Sequence, residues 1–176
     1  MPVYGSFVLG DRVFDLRHLH DFMMTVTIPE KAGKPEQRYE VKVMFECHCF
    51  TRALPPGGCA DEELYVNQRE TRQFDPERHA LSVRLPYMIR NLGGRKCHHT
   101  NHGNFVVVDI VEGDTHRKYA VFFDVKKVPR GRLLLMRILS AFPVLPETPD
   151  PTKGKPIGFN VIIFNTAEGR PIKVPR

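Results

Sequence analysis

The amino-acid sequence predicts an α+β fold in which an antiparallel β-sheet, made of an N-terminal hairpin and a C-terminal meander, packs against one main, proline-interrupted helix. Three observations indicate it: apolar residues alternate with polar ones near the N-terminus, recur at helical spacing in the middle, and form three extended segments after that. The length of 176 residues is ordinary for one domain. We therefore expect a single domain over 1–176, with loop-rich insertions at about 53–74 and 143–156.

The N-terminal hairpin is predicted from residues 22–47. Residues 22–28 are rich in Val, Thr and Met, and after the turn-like sequence EKAGKP apolar residues occupy alternate positions from Tyr39 to Cys47. Because side chains on a strand point alternately to its two faces, Cys47 is expected to continue the buried row. His48 is expected on the opposite face, where it is the more accessible of the two.

The main helix is predicted within the sequence FDPERHALSVRLPYMIRNLGG. Asp75 suits the N-cap, Pro76 the first helical position, and Gly93 the position just after the end. Pro86 is expected to kink this helix or to divide it into two pieces. The apolar residues at helical spacing, which predict the buried stripe, are Leu81, Leu85, Met88, Ile89 and Leu92.

The meander is predicted from three extended segments at 104–111, 118–125 and 133–142, which follow the polar sequence RKCHHTNHG. The connections between the segments are short and contain turn residues, so the three strands are expected to be antiparallel neighbours. The proline-rich residues that follow are expected to form a loop, and residues 157–165 a further strand.

The composition of the chain indicates the cellular compartment in which the protein is expected. The longest apolar runs are far shorter than the roughly 20 residues that cross a bilayer, and the N-terminus lacks the basic segment of a secretory signal. We therefore expect a cytoplasmic protein with no membrane partner. Its four cysteines should be reduced thiols or metal ligands and not a disulfide framework.

The positive charge of the chain is concentrated in two segments. The formal net charge is +6, and no acidic residue occurs between Glu77 and Asp109 or within residues 125–146. Segments without carboxylates favour a surface that approaches phosphate groups. The candidate nucleic-acid-binding residues are the cations Arg84, Arg90, Arg95, Lys96 and Arg132.

Histidines near these cations suggest acid–base cleavage of RNA. RNA carries its own nucleophile in the 2′-hydroxyl group, so cleavage needs a histidine that moves protons and a cation that stabilises the phosphate, but no cofactor. Because Arg137 and Ser140 are out of phase on a regular strand, they share a face only if the strand bulges or ends by Leu139. The candidate catalytic residues are His48, His99, His102, Arg137 and Ser140.

Two other uses of the Cys/His segments stay open. A zinc site would take Cys47, Cys49, Cys97 and a histidine such as His98, although the spacing is not that of zinc knuckles. A nucleophilic cysteine would be Cys49 or Cys97, activated by a neighbouring histidine. Neither has a recognisable local motif, so the leading expectation includes no metal.

The order of elements resembles a known family. The predicted order is a helix, a histidine-bearing loop, three strands, and then a hydroxyl residue before an aromatic and a proline. The sequences that contain it are RKCHHTNHGNFVVVDI, KYAVFFDVKK and LLLMRILSAFP. Residues 75–143 thereby resemble the C-terminal half of barnase/EndoU/colicin/RelE-type ribonuclease toxins, which implies a small, basic, metal-independent ribonuclease. The residues that the resemblance implies are His99 or His102 for acid–base catalysis, Arg132 or Arg137 for phosphate binding, and Ser140 as the hydroxyl.

The leading expectation is thus an RNA-binding protein with metal-independent, toxin-type endoribonuclease activity, whose partners are RNA or another nucleic acid and a cognate antitoxin or inhibitor protein. The alternative is a non-catalytic nucleic-acid-binding or protein-interaction module of a mobile element, with or without a Cys/His zinc site. The two differ in geometry. An enzyme needs histidine and arginines that converge in a cleft, whereas a binding module needs only a positive surface.

Overall fold

The structure is a computed structural model that describes residues 4–31, 33–111, 117–129 and 131–174. In chain order its strands are β1 (Ser6–Leu9), β2 (Arg12–Asp15), β3 (Phe22–Ile28), β4 (Gln37–Phe45), β5 (Thr51–Arg52), β6 (Leu64–Val66), β7 (Thr71–Phe74), β8 (Lys96–His99), β9 (Phe105–Val111), β10 (Arg117–Lys127), β11 (Leu134–Pro143) and β12 (Pro156–Gly158). Its helices are α1 (Pro76–Ser82), α2 (Leu85–Arg90) and α3 (Phe159–Ala167).

The largest sheet has seven strands in the order β12-β8-β9-β10-β11-β4-β3. The predicted hairpin is present as the antiparallel pair β3 and β4, and the predicted meander as β9, β10 and β11. A parallel pairing of β4 with β11 joins the two halves. The α+β prediction is therefore confirmed, and this one parallel junction makes the sheet mixed.

One face of the large sheet carries the core. The alternate residues Val41 and Val43 on β4 and Met136 and Ile138 on β11 are completely buried, and they belong to one cluster with the apolar side chains of α2 and α3. Burying an aliphatic side chain of this size contributes about 1.5–3 kcal/mol relative to leaving it exposed. The strict alternation therefore determines which face of each strand packs against the helices.

The predicted main helix is divided into α1 and α2, as Pro86 led us to expect. Asp75 caps the first piece, because its Oδ1 accepts hydrogen bonds from the backbone N–H groups of Glu77 and Arg78, both at 3.0 Å. The left-handed turn after α2 is made by Gly94, with φ 74°, and not by Gly93. No helix in the described part of the chain is long and apolar enough to cross a membrane.

The prediction of a strand at 157–165 was wrong, since most of this segment is α3. A short apolar run such as VIIF suits a buried strand or a buried helix equally well. Phe159, Ile162 and Ile163 are the buried residues of α3, and their spacing of three and four residues places them on one side of a helix. Packing of that side on the sheet decides the structure.

The predicted loop at 53–74 is only partly irregular. It contains β6 and β7, which form a second, three-stranded sheet with β5 in the order β5-β7-β6. This small sheet lies near the end of β4, because β5 directly follows the 3₁₀ turn Cys47–Cys49 that comes after β4. The predicted turns of the hairpin and of the meander include residues 32, 112–116 and 130, which lie outside the described residues.

The predicted loop at 143–156 brings the chain back across the sheet to its far edge, where β12 pairs with β8. Gly154 lies directly against β8, since a Cβ atom at this position would stand 1.7 Å from the carbonyl oxygen of His99. The adjacent Lys155 accepts a hydrogen bond of 2.9 Å from the backbone N–H of His99. Only glycine permits so close an approach of the two backbones.

Candidate functional site

The two histidine-bearing segments lie on different parts of the large sheet. His48 lies just after β4 and His99 lies on β8, and three strands separate β4 from β8. Four strand-to-strand spacings correspond to about 19 Å. The structure therefore does not bring these two candidate catalytic histidines into a shared active site.

The histidines on and after β8 have three different environments. His99 is only 8% exposed, its ring lies 5.3 Å from that of Phe105, and burial lowers its pKa. His98 is half-buried, and its Nδ1 atom has no hydrogen-bond partner. His102 is exposed in the turn that follows β8. His99 is thus the least accessible of the three, although the ribonuclease resemblance offers it for acid–base catalysis.

A β-bulge places Arg137 and Ser140 on the same face of β11. The pairing of β10 with β11 skips Leu139, which is the extra residue between two successive pairs. This is the condition under which we expected the two side chains to share a face. The guanidinium group of Arg137 is however engaged by Asp124, with distances of 3.1 Å (Nε–Oδ1) and 2.5 Å (Nη2–Oδ2). Its charge is therefore largely compensated before any phosphate arrives.

Three of the five candidate nucleic-acid-binding cations are dispersed. Arg95 donates to the carboxylate of Asp109 at 3.4 Å and to the backbone carbonyl of Val108 at 2.9 Å, so it is held against β9. Lys96 is exposed at the start of β8. Arg132 lines a groove between β4 and the C-terminal end of α3, at the opposite side of the sheet order from β8.

The remaining two cations, the N-cap residue Arg84 and the last residue Arg90, flank a tyrosine on the solvent side of α2. Arg84, Tyr87 and Arg90 follow one another at intervals of three residues, which places them within about 120° of one another around the helix. Tyr87 is 74% exposed. The guanidinium carbon of Arg90 lies 3.8 Å from the centroid of the Phe22 ring, a cation–π contact that holds the side chain in place. We call these three residues the arginine–tyrosine face.

The three buried cysteines are poor nucleophiles in this structure. Cys47 and Cys49 lie in the 3₁₀ turn that follows β4, and both are buried, as is Cys97 on β8. Burial raises the pKa of Cys47 to about 11 and that of Cys97 to about 12, and it raises the pKa of Cys49 further. All three thiols are therefore protonated near neutral pH, which is the unreactive form.

Cys47 and His48 share one partner, Glu70. The Nε2 atom of His48 lies 2.8 Å from Glu70 Oε1, and the thiol of Cys47 donates to the same oxygen at 3.5 Å. On either side of these groups, Asn67 donates through Nδ2 to Cys47 Sγ at 3.3 Å, and Arg72 donates through Nη1 to Glu70 Oε2 at 3.2 Å. Partial burial raises the pKa of Glu70, but the hydrogen bonds from His48 and Arg72 outweigh it and lower that pKa overall.

The ligand atoms of Cys47, His48 and Glu70 all lie within 4.8 Å of one another. Within the described ranges this is the only group of three or more possible metal ligands that come so close. The four-residue zinc set suggested by the sequence is therefore not assembled: the thiol of Cys49 donates to the carbonyl of Ile138 at 3.8 Å, and Cys97 and His98 lie on the distant strand β8. We call the observed group the Cys47–His48–Glu70 cluster.

The sequence did not indicate Glu70 as a site residue, because residues 53–74 were expected to form a loop. It precedes β7, in the turn of the β6–β7 hairpin, and the backbone N–H of Asn67 donates to its carbonyl at 3.1 Å. A signal was present in the sequence, since LYV and TRQF flank the turn-forming sequence NQRE. The pairing of β7 with β5 then carries the carboxylate back to the 3₁₀ turn.

Comparison with known proteins identifies the family of this chain. The model of the YjaZ family matches residues 6–167, a range that begins at β1 and ends at the last residue of α3. The chain belongs to the YjaZ family. No curated protein and no solved structure matches it. Both the arginine–tyrosine face and the Cys47–His48–Glu70 cluster fall within the part matched by the YjaZ family, and the resemblance to ribonuclease toxins stays a prediction.

Proposed function

We propose that this protein binds single-stranded nucleic acid, RNA above all, through the arginine–tyrosine face. The observation that supports the proposal is Tyr87, which is 74% exposed and lies between Arg84, the N-cap residue of α2, and Arg90, its last residue. An exposed aromatic ring stacks on an unpaired base, and neighbouring guanidinium groups bind the phosphates on either side of it.

The charge around the arginine–tyrosine face supports binding of a polyanion. The sequence has no acidic residue between Glu77 and Asp109. The ion pairs in the described part of the chain engage other exposed arginines, such as Arg17 with Asp15 at 2.7 Å, but leave out Arg84 and Arg90. These two cations are therefore available to phosphate groups, and their contribution falls as salt concentration rises.

The proposal is one of binding without cleavage. Stacking on Tyr87 requires a base outside a duplex, which favours a single strand over a double helix. The candidate catalytic histidines lie on β8, after it, or at the end of β4, and none is on α2. A groove in which histidine and arginine converge on one phosphate is the arrangement that cleavage requires, and these residues do not supply it.

Replacing Tyr87 tests the stacking contact. Tyr87→Ala is expected to weaken binding of a fluorescein-labelled oligouridine about tenfold, because one aromatic–base stack contributes about 1–3 kcal/mol. Tyr87→Phe keeps the ring and should bind within about twofold of wild type on the same basis. Fluorescence anisotropy at fixed ionic strength measures both, and thermal unfolding verifies that the variants are folded.

Arg38→Ala is the matched control for the arginines. Arg38 is also exposed, with 72% of its side chain accessible, but it lies on β4 and is paired with Glu36. The double variant Arg84→Ala/Arg90→Ala should reduce the slope of log K against log salt by about 1.4, at about 0.7 per phosphate contact. Equal losses in Arg38→Ala and in the double variant would refute the proposed face. Cleavage of the oligonucleotide in EDTA would favour the ribonuclease expectation instead.

A further inference from the structure

We infer that the Cys47–His48–Glu70 cluster binds a transition-metal ion of the zinc class. The inference is independent of nucleic-acid binding, because the cluster lies at the end of β4 and in the β6–β7 turn and not on α2. Its donors are one thiol sulfur, one imidazole nitrogen and one carboxylate oxygen. This mixture of sulfur, nitrogen and oxygen suits zinc and cobalt, whereas magnesium and calcium prefer oxygen ligands alone.

The distances in the cluster suit four-coordinate geometry. Zinc bonds of about 2.0–2.1 Å to nitrogen and oxygen and about 2.3 Å to sulfur, at tetrahedral angles, place sulfur and oxygen about 3.6 Å apart and nitrogen and oxygen about 3.3 Å apart. Cys47 Sγ already lies 3.5 Å from Glu70 Oε1. His48 Nε2 lies 2.8 Å from the same oxygen, so this pair must separate by about half an ångström, with the metal in place of the shared proton.

Neighbouring side chains hold the ligands without occupying the metal position. Arg72 donates to Glu70 Oε2 at 3.2 Å, which leaves Oε1 directed at Cys47 and His48. Arg72 Nε also donates to Thr51 Oγ1 at 2.8 Å, and this hydroxyl donates to the backbone carbonyl of Cys47 at 2.8 Å. Hydrogen bonds that orient the ligands in this way are characteristic of protein metal sites.

The exposure of the cluster leaves room for a further ligand. Cys47 is 3% exposed, whereas the side chains of His48 and Glu70 are each 36% exposed. Solvent therefore reaches the group at His48 and Glu70, whereas Cys47 is covered. Catalytic zinc sites have three protein ligands and leave the fourth position open for water or substrate, whereas structural zinc sites have four protein ligands. A thiolate and a carboxylate together balance the charge of a dication.

Cobalt titration tests the site directly. Metal-free full-length protein titrated with Co²⁺ under reducing conditions is expected to develop a thiolate-to-cobalt charge-transfer band together with the intense visible bands of four-coordinate cobalt, saturating at one ion per chain. Zn²⁺ should displace the cobalt and abolish both bands. Absence of the charge-transfer band in folded wild-type protein would overturn the inference.

Variants assign the band to the cluster. Cys47→Ser should remove the charge-transfer band, and Glu70→Gln and His48→Ala should each weaken cobalt binding at least about tenfold. Asn67→Ala should weaken it about tenfold, because Asn67 donates to Cys47 Sγ and its Oδ1 accepts hydrogen bonds from the backbone N–H groups of Arg69 and Glu70. The matched control is Cys59→Ser, because Cys59 is the more accessible thiol and lies outside the cluster. A band that persists in Cys47→Ser or disappears in Cys59→Ser would contradict the assignment. Unchanged oligouridine binding by Glu70→Gln would separate this site from the arginine–tyrosine face.

Discussion

Gly154→Ala is expected to destabilise the protein by about 3 kcal/mol or more, at the upper end of what overpacking costs. The added Cβ would lie 1.7 Å from the carbonyl oxygen and 2.8 Å from the carbonyl carbon of His99. These neighbours are backbone atoms of β8, which is paired with β9 on one side and β12 on the other. Neither backbone can move away without breaking hydrogen bonds at this edge of the sheet.

Urea unfolding of wild type, Gly154→Ala and Gly93→Ala measures this effect. Gly93 serves as the control because a Cβ there meets nothing within 4 Å and its φ is not in the left-handed region. We expect Gly93→Ala to change the free energy of unfolding by less than about 0.5 kcal/mol. A loss below about 1 kcal/mol in Gly154→Ala would show that the loop at 143–156 does not pack on β8 as described.

Arg78→Met is expected to lower the free energy of unfolding by about 2–4 kcal/mol. The Nη1 atom of Arg78 donates to the backbone carbonyls of His48 at 3.2 Å and Thr51 at 2.7 Å. Burial lowers the pKa of this arginine, and its guanidinium group also lies 5.0 Å from the ring of Phe142. Methionine keeps most of the volume but leaves two carbonyls without a donor, each of which costs about 1–3 kcal/mol when buried.

Arg12→Met is the matched control for Arg78→Met, because Arg12 also lies over an aromatic ring, that of Phe14 at 4.7 Å, but is exposed. Arg12→Met should lower the free energy of unfolding by less than about 0.5 kcal/mol. Since Arg78 holds the carbonyl of His48, Arg78→Met should also weaken cobalt binding. Equal stability of the two variants would contradict the role of Arg78 in fixing the 3₁₀ turn.

Local patterns in the sequence were sufficient to predict the elements whose structure depends on residues close to one another in the chain. The alternation that ends at Cys47 predicted β4, and Pro86 predicted the division of the helix into α1 and α2. The condition stated for Arg137 and Ser140 was also met, because Leu139 is bulged. These features follow from side-chain periodicity and from proline geometry, which act within a few residues.

Features that depend on distant pairing were not predictable in the same way. The parallel junction of β4 with β11 joins segments about ninety positions apart, and no local pattern specifies it. The same sheet order separates Cys97 from Cys47, which is why the expected zinc ligands do not meet. Glu70 joins the candidate site only through the small sheet of β5, β6 and β7. Proximity across a sheet is a property of strand order and not of sequence distance.

The most direct test of the proposed function is photo-cross-linking of the full-length protein to a single-stranded RNA that carries 4-thiouridine, followed by trypsin digestion and mass spectrometry. Trypsin cleaves after Arg84 and Arg90, so α2 is released as the single peptide Leu85–Arg90. Binding through the arginine–tyrosine face predicts that the main cross-link lies in this peptide, on Tyr87, and disappears in Tyr87→Ala. Cross-links confined to the Cys47–His48–Glu70 cluster or to the groove beside Arg132 would contradict the account.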